Sequence, residues 1–333
     1  MPPILLSVAL LLAGLLLLVK GSDFFIDGAS EIAKRWGVSE MLIGLTLVAF
    51  GTSLPEWISS LIAAFRDPST LQCAEGIRCN TTDMALGNVV GSNITNIGLV
   101  IGLVGLMVPA GIKAKSAFLF KDIPLLMLLS VGIWYLALQD NMIGKYEGLL
   151  IFVLFVAVTI DSVRNTKDEN EDEEGDEESE EEGSENIPSW KLYGLTLGGL
   201  VALLIGSTFL VDGASAIALA MGVSESVVGL TMVAFGTSVP ELATSITAAK
   251  RGKHAMLLGG VIGSNSANLA VILGSVAFLF PVEVQPEFAM FQFPVMIAYV
   301  FSLWLSMLSG TIQKWQSVLM LLGYFAFTAA LFF

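Results

Sequence analysis

Two glutamates, Glu56 and Glu241, lie inside long apolar stretches of this 333-residue chain, in the closely similar segments GTSLPE and GTSVPE. An ionised side chain at membrane depth costs ~3 kcal/mol or more, so it survives only with a partner or a function. Neither apolar stretch contains a Lys or Arg that could neutralise its glutamate. We therefore expect a bound cation to compensate each carboxylate.

A proline comes directly before each glutamate, at Pro55 and Pro240. Because proline has no backbone N–H and clashes with the preceding turn, it breaks or kinks a helix. The sequence therefore predicts broken helices, in which backbone carbonyls near Ala49 and Ala234 face a cavity.

Neutral oxygen donors accompany the glutamates at helical spacing. A threonine precedes each glutamate by four residues, which places the two on one helix face, and a serine follows the threonine. In the next apolar stretch a serine and an asparagine are again four residues apart. These candidate ligands are Thr52, Ser53, Ser92 and Asn96, with Thr237, Ser238, Ser264 and Asn268 in the second half. Carboxylate, amide, hydroxyl and carbonyl oxygens are the ligands that Ca²⁺ takes.

These motifs occur twice because the two halves of the chain are related. Residues 37–66 and 222–251 are identical at nineteen of thirty positions. A second block matches GNVVGSNITN at 87–96 with GGVIGSNSAN at 259–268. The glycines of this block, such as Gly91 and Gly259, are predicted to let helices approach closely.

Composition predicts an all-α polytopic membrane protein. Hydrophobic residues make up 55% of the chain and the mean hydropathy is +0.78, and apolar runs of ~20 residues, long enough to cross a bilayer as helices, recur. We predict ten transmembrane helices: 3–31, 40–65, 84–108, 122–138, 146–163, 192–219, 225–249, 256–280, 286–307 and 313–332. Five spans per half is an odd number, so the halves form inverted repeats, whose substrate site lies near the membrane midplane.

The acidic charge is concentrated in one segment. Of the 30 Asp and Glu residues, 13 lie in 168–185, which contains no Lys or Arg. The rest of the chain is nearly neutral, and nothing in the sequence indicates nucleic-acid binding. We predict a first repeat at 1–163, an acidic disordered linker at 164–189 that cannot bury enough apolar surface to fold, and a second repeat at 190–333. Cys73 and Cys79 share one polar loop, in which a local disulfide is an option.

The basic residues predict the orientation. With both termini outside, twelve of the 16 Lys and Arg residues lie on the cytoplasmic side and three on the outer side, as the positive-inside rule requires. The acidic linker is then cytoplasmic, and we expect the chain to be a multi-pass protein of the plasma (inner) membrane.

The sequence resembles the cation/Ca²⁺ exchanger superfamily, in particular its prokaryotic Na⁺/Ca²⁺ exchangers. The resemblance covers the whole chain and is carried by GTSLPE with GSNITN and by GTSVPE with GSNSAN. It implies that Glu56 and Glu241 ligate Ca²⁺ and that the threonines, serines, asparagines and alanine carbonyls named above line the ion sites. It also implies that the first and sixth helices slide as a gate past the other eight.

The chain departs from the family pattern at Asn268, where well-studied prokaryotic members have an Asp, and at Gly260, which is Asn88 in the first repeat. The site then carries two carboxylates, which bears on the coupling stoichiometry. We expect a Ca²⁺/Na⁺ antiporter, functional as a monomer in the lipid bilayer, with Ca²⁺ and Na⁺ as transported substrates, no organic cofactor and no enzymatic activity. An H⁺/Ca²⁺ antiporter using the same glutamates is the alternative, followed by a passive cation channel.

Overall fold

The chain is almost entirely helical in the computed structural model, which describes residues 4–65, 81–169, 188–222 and 236–331. We number the helices continuously through their π-helical turns. They are α1 (Ile4–Trp36), α2 (Glu40–Thr52), α3 (Leu54–Phe65), α4 (81–107), α5 (Phe118–Asp140), α6 (Lys145–Glu169), α7 (Ser189–Ala220), α8 (Val239–Lys250), α9 (His254–Leu279), α10 (Phe288–Met307) and α11 (Lys314–Ala330). The two-residue strands are β1 (Ile112–Lys113), β2 (Met142–Ile143), β3 (Val282–Glu283) and β4 (Thr311–Ile312).

Several of these helices are long and apolar enough to cross a membrane. Within the described residues, six meet that standard, and a seventh does if α2 and α3, which are broken at Ser53, count as one span. Most of the apolar runs of the sequence therefore form helices that are long and apolar enough to span a membrane. The total of ten spans stays a prediction.

The helices group by packing into two units, each built from parts of both sequence halves. Unit 1 comprises Met1–Thr52 and Ala157–Gly260, and unit 2 comprises Ser53–Val156 and Val261–Phe333. This grouping cuts across the predicted repeats at 1–163 and 190–333, which describe order along the chain and not packing.

In unit 1, α1 and α7 pack closely along a seam of glycines. A Cβ added to Gly21 would lie 2.6 Å from the backbone N of Leu203 and 2.8 Å from the carbonyl O of Gly199, so no larger residue fits at the present separation. The glycines recur every seven residues on both helices: Gly14, Gly21 and Gly28 on α1, and Gly199, Gly206 and Gly213 on α7. Small residues at this spacing let two membrane helices approach backbone to backbone.

Polar contacts connect α1 to α8 within unit 1. The hydroxyls of Ser22 and Thr247 lie 2.8 Å apart in a buried position. Near the end of α8, Arg251 donates to the carboxylates of Asp27 and Asp23, the latter at 3.1 Å. These bonds join one face of α1 to the last turns of α8.

In unit 2, two antiparallel strand pairs join the first half of the chain to the second. β1 pairs with β4, with Ile112 opposite Ile312, and β2 pairs with β3, with Ile143 opposite Val282. All four of these side chains are buried. Each half also runs through the same order of elements, in which a strand follows the π-containing helix α4 or α9 and another follows α5 or α10.

The structure differs from the sequence-based prediction at the end of α6. Helix α6 continues to Glu169, beyond the predicted linker boundary at 164, because extending a formed helix is far easier than starting one. The residues 170–187 lie outside the described part of the chain, as do Cys73 and Cys79.

The close helix approach predicted at Gly259 is confirmed, since a Cβ there would lie 2.6 Å from the carbonyl O of Met41. The close approach predicted at Gly91 is wrong, since a Cβ there would meet nothing within 4 Å.

Candidate functional site

The helix breaks predicted at the two prolines are present. Helix α2 ends at Thr52, Ser53 forms a turn, and α3 begins at Leu54 with Pro55 in its first turn. In the second half, Ser238 forms the corresponding turn and α8 begins at Val239 with Pro240 next. The missing proline N–H falls in the first turn of a new helix, where it would have had no intrahelical partner.

Both glutamates are buried in the first turn of a helix. Glu56 in α3 is 0% exposed and Glu241 in α8 is 3% exposed. A carboxylate is stabilised at this end of a helix because the backbone N–H groups there carry partial positive charge. Each break therefore places a glutamate beside the backbone N–H groups that begin a new helix.

The hydroxyls beside the glutamates are buried, and their hydrogen bonds differ between the halves. Thr52 donates to the carbonyl O of Val48 at 3.0 Å and lies 3.3 Å from that of Ala49, while Ser53 is buried. The hydroxyl oxygens of Thr237 and Ser238 are buried without a hydrogen-bond partner among the described residues. A buried polar atom of this kind is costly unless something else, such as a cation, binds it.

Asn88 anchors the start of α3 to α4 in unit 2. Its Nδ2 lies 3.1 Å from the carbonyl O of Glu56 and 2.9 Å from the hydroxyl of Ser60. It is also 3.2 Å from the hydroxyl of Ser59. The corresponding residue of the second half, Gly260, has no side chain with which to make such bonds. Asn88 therefore fixes the backbone that carries Glu56.

The predicted ligands Asn96 and Asn268 are held by two further asparagines. Asn96 Nδ2 donates to Asn265 Oδ1 at 3.0 Å, and Asn268 Nδ2 donates to Asn93 Oδ1 at 3.0 Å. All four asparagines are 0% exposed. The Oδ1 atoms of Asn96 and Asn268 are buried and accept no hydrogen bond within the described chain, so both amide oxygens are available to a cation.

Each predicted asparagine ligand also begins a π-helical turn. The turns are Asn96–Ile101 in α4 and Asn268–Ile272 in α9. π-Helical turns are rare and occur frequently at functional sites. One turn earlier in each helix, Ser92 and Ser264 are buried.

The predicted ligands are distributed over both units. Unit 2 contains Glu56, Ser53, Ser92, Ser264, Asn96 and Asn268, and unit 1 contains Glu241, Ala49, Thr52, Thr237 and Ser238. Ala234 lies outside the described residues. Within the described ranges, no group of three or more His, Cys, Asp and Glu side chains could hold a metal ion.

Comparison with known proteins decides the family. The model of the sodium/calcium exchanger protein family matches residues 6–162 and 191–333. This chain belongs to the sodium/calcium exchanger family.

Relatives of this exchanger extend over its full length. It is 37% identical to the sodium/calcium exchanger MaX1 of Methanosarcina acetivorans, with 97% of this chain and 98% of MaX1 covered. It is also 37% identical to an uncharacterised membrane protein of Methanocaldococcus jannaschii, over 98% of this chain and 99% of that protein. The solved structure of the sodium-calcium exchanger NCX_Mj soaked with zero Na⁺ and Ca²⁺ matches with a TM-score of 0.80 at 32% identity, covering 99% of this chain and 100% of that one.

Sequence reasoning overlooked Asn93 and Asn265, although both stand in the quoted GSN motifs. The signal was present, since each is the third residue of a repeated GSN. The sequence does not show which residue is the hydrogen-bond partner of each amide, because that partner lies in the other half of the chain.

Proposed function

We propose that this exchanger moves Ca²⁺ across the membrane in exchange for Na⁺, by alternating access at a midplane site shared by its two repeats. The observation that carries the proposal is a buried glutamate in the first turn of a proline-containing helix, present once in each repeat. The full-length similarity to sodium/calcium exchangers supports the choice of ions.

The proposed architecture is ten transmembrane helices in two inverted five-helix repeats, at 1–163 and 190–333. The repeated order of helices, π-helical turns and strands supports it. The excess of basic residues on one side supports a plasma-membrane orientation with both termini outside and the acidic linker 164–189 cytoplasmic. We propose that the protein functions as a monomer, since each chain has both glutamates.

The proposed ion ligands are the two glutamates and the neutral oxygens around them. One Ca²⁺ binds both Glu56 and Glu241 in this proposal. The remaining donors to Ca²⁺ and Na⁺ are the side chains of Thr52, Ser53, Ser92, Asn96, Thr237, Ser238, Ser264 and Asn268 and the carbonyls of Ala49 and Ala234. These are hard oxygen donors of the kind that Ca²⁺ binds.

Charge balance then explains exchange without leak. An empty site holds two buried negative charges, and moving them through an apolar barrier is unfavourable. One Ca²⁺ neutralises both charges, as do two Na⁺, whereas a third Na⁺ would make the step electrogenic. Only the ion-bound protein switches the side of the membrane to which its site opens. Ca²⁺ transport in one direction is therefore coupled to Na⁺ transport in the other.

Uptake of ⁴⁵Ca²⁺ into Na⁺-loaded proteoliposomes tests the proposal. The variants Glu56→Gln and Glu241→Gln preserve side-chain size and remove one charge each, so both are expected to abolish Na⁺-dependent uptake. Glu287→Gln, which changes an exposed glutamate, is the matched control and is expected to keep wild-type uptake. Undiminished Na⁺-dependent uptake by both site variants would remove the assignment of the glutamates.

Proton coupling is the second candidate, because Asn268 leaves the site with two carboxylates where the resemblance leads one to expect three. Imposing a pH gradient without Na⁺ separates the two functions. A Na⁺-coupled exchanger is expected to show no ⁴⁵Ca²⁺ uptake under these conditions, whereas an H⁺/Ca²⁺ antiporter would show it. A channel would conduct Ca²⁺ with neither counter-ion.

A further inference from the structure

The four buried asparagines of unit 2 share one hydrogen-bond network, in which Asn93 and Asn265 close a ring by bonding each other, and Asn96 and Asn268 are each attached to that ring by one bond. Besides the two side-chain bonds to the predicted ligands, Asn93 Nδ2 donates to the carbonyl O of Asn265 at 3.3 Å. Asn265 Nδ2 donates to the carbonyl O of Asn93, also at 3.3 Å. Asn93 and Asn265 are equivalent residues of the two repeats, so exchanging the repeats maps the ring onto itself.

The ring determines which way each amide faces. If the Asn93 amide turned over, its Nδ2 would oppose the Nδ2 of Asn268 and its Oδ1 would oppose the carbonyl O of Asn265. Both contacts would then join like groups, and two buried hydrogen bonds would be lost. Each such loss leaves buried polar atoms without partners, which is the costly case for a hydrogen bond.

The orientation of the two predicted ligands follows from this. Asn93 Oδ1 and Asn265 Oδ1 only accept hydrogen bonds, so each selects the Nδ2 of its partner. The Oδ1 atoms of Asn96 and Asn268 are thereby turned away from the ring, and neither has a donor among the described residues. Both are 0% exposed, so each is a buried acceptor directed away from the polar groups that hold its amide.

We infer that Asn93 and Asn265 are positioning residues of the ion site, each holding the ligand amide of the opposite repeat so that its oxygen faces a hard cation. This inference rests on the proposed function, in which Asn96 and Asn268 are ligands. It adds that each ligand is held by a hydrogen bond from the other repeat: Asn93 positions Asn268, and Asn265 positions Asn96. Neither positioning residue touches the ion.

The crossed arrangement makes a prediction that a merely structural asparagine does not. Asn93→Ala is expected to raise the KM for Ca²⁺ roughly three- to tenfold, the effect of losing one oriented hydrogen bond, with little change in maximal rate per folded protein. In an Asn268→Ala background the same change is expected to raise KM less than ~twofold, because there is no amide left to position. In an Asn96→Ala background the full effect is expected to remain.

The experiment measures Na⁺-dependent ⁴⁵Ca²⁺ uptake in double-mutant cycles. Asn93→Ala is combined with Asn268→Ala, the crossed pair, and with Asn96→Ala, the same-helix pair. Asn265→Ala is combined in the same way with Asn96→Ala, the crossed pair, and with Asn268→Ala, the same-helix pair. Coupling confined to the crossed pairs supports positioning. Coupling that is absent, or equal for the crossed pair and the same-helix pair, overturns it. Asn141→Gly, at an exposed residue with φ 56°, controls for substitution as such.

A failure of the proposed function would look different. If Asn96→Ala and Asn268→Ala leave the KM for Ca²⁺ unchanged, the ligand assignment fails, and the inference fails with it. Where Asn93→Ala does not fold, Asn93→Ser retains a hydroxyl too short to reach Asn268. The Ca²⁺-induced rise in melting temperature of the purified variant then replaces KM, and the same crossed pattern is required.

Discussion

The glycine seam between α1 and α7 can be tested with two adjacent residues of one helix. A Cβ on Gly199 would lie 2.7 Å from the backbone N of Phe25 and 2.9 Å from the carbonyl O of Gly21. A Cβ on Gly198 would meet nothing within 4 Å. Gly199→Ala is therefore expected to force the helices apart, and Gly198→Ala is its matched control.

The magnitude follows from the distances. A carbon atom packs at ~3.5 Å or more from a neighbouring heavy atom, so the helices must separate locally by roughly 0.7 Å at Gly199. A gap of that size removes about a quarter to a half of the dispersion attraction between the facing atoms, and overpacking typically costs ~1–3 kcal/mol. Alanine also favours a helix over glycine by about 1 kcal/mol, but this gain is common to both variants and cancels in their difference.

The assay is the melting temperature of each purified variant in detergent, compared with the wild type. Gly198→Ala is expected to melt at or slightly above the wild type. Gly199→Ala is expected to melt at least ~2 °C below Gly198→Ala, since 1 kcal/mol shifts the melting temperature of a large chain by roughly 2–4 °C. Equal melting temperatures for the two variants would refute the close packing of α1 on α7.

Three further predictions concern substitutions of single polar residues. Arg251→Gln removes the ion pairs to the two aspartates of α1, but side chains that are a third to a half exposed are screened by solvent, so we expect a melting temperature lower by no more than a few degrees, and no difference from the wild type when both are measured at high salt; a large loss that persists in salt would contradict this. Asn88→Ala frees the first turn of α3 and is expected to raise the KM for Ca²⁺ several-fold, whereas Gly260→Ala, whose Cβ would make only an ordinary contact at 3.4 Å, is expected to leave it unchanged; the reverse order would disprove the anchoring role. Ser207→Ala leaves a buried backbone carbonyl without its 2.8 Å hydrogen bond and is expected to cost ~1–3 kcal/mol, while Thr208→Ala, an exposed hydroxyl bonded within its own helix, is expected to be neutral by the same melting assay.

Much of the fold could be predicted from the sequence because membrane helices are specified locally. An apolar run of sufficient length must satisfy its backbone hydrogen bonds internally once it is in lipid, and a helix does so. The breaks at Ser53 and Ser238 were predicted for an equally local reason, namely the proline two residues later. Helix α6 ends at Glu169 and not at the predicted residue 163, because charged residues can continue a helix that apolar residues began.

The candidate site could be predicted only in part. Burial of Glu56 and Glu241 agrees with their position in apolar stretches, and the duplicated motifs identified Asn96 and Asn268 as a related pair. Asn88 was noticed only as a difference between the repeats. Its bonds to the first turns of α3 depend on how α3 packs on α4, which no spacing along the chain expresses.

Sequence alone determined the kinds of oxygen donor present, their duplication and the helices that carry them, because residue types, helical spacing and repeated motifs can be read along the chain without knowing which helices pack together. Tertiary structure alone decided that Asn93 would hold Asn268 and that Asn265 would hold Asn96. The members of the two pairs are 175 and 169 residues apart in the chain, and a hydrogen bond depends on the direction in which two amides meet. That direction exists only after the helices α4 and α9 have packed.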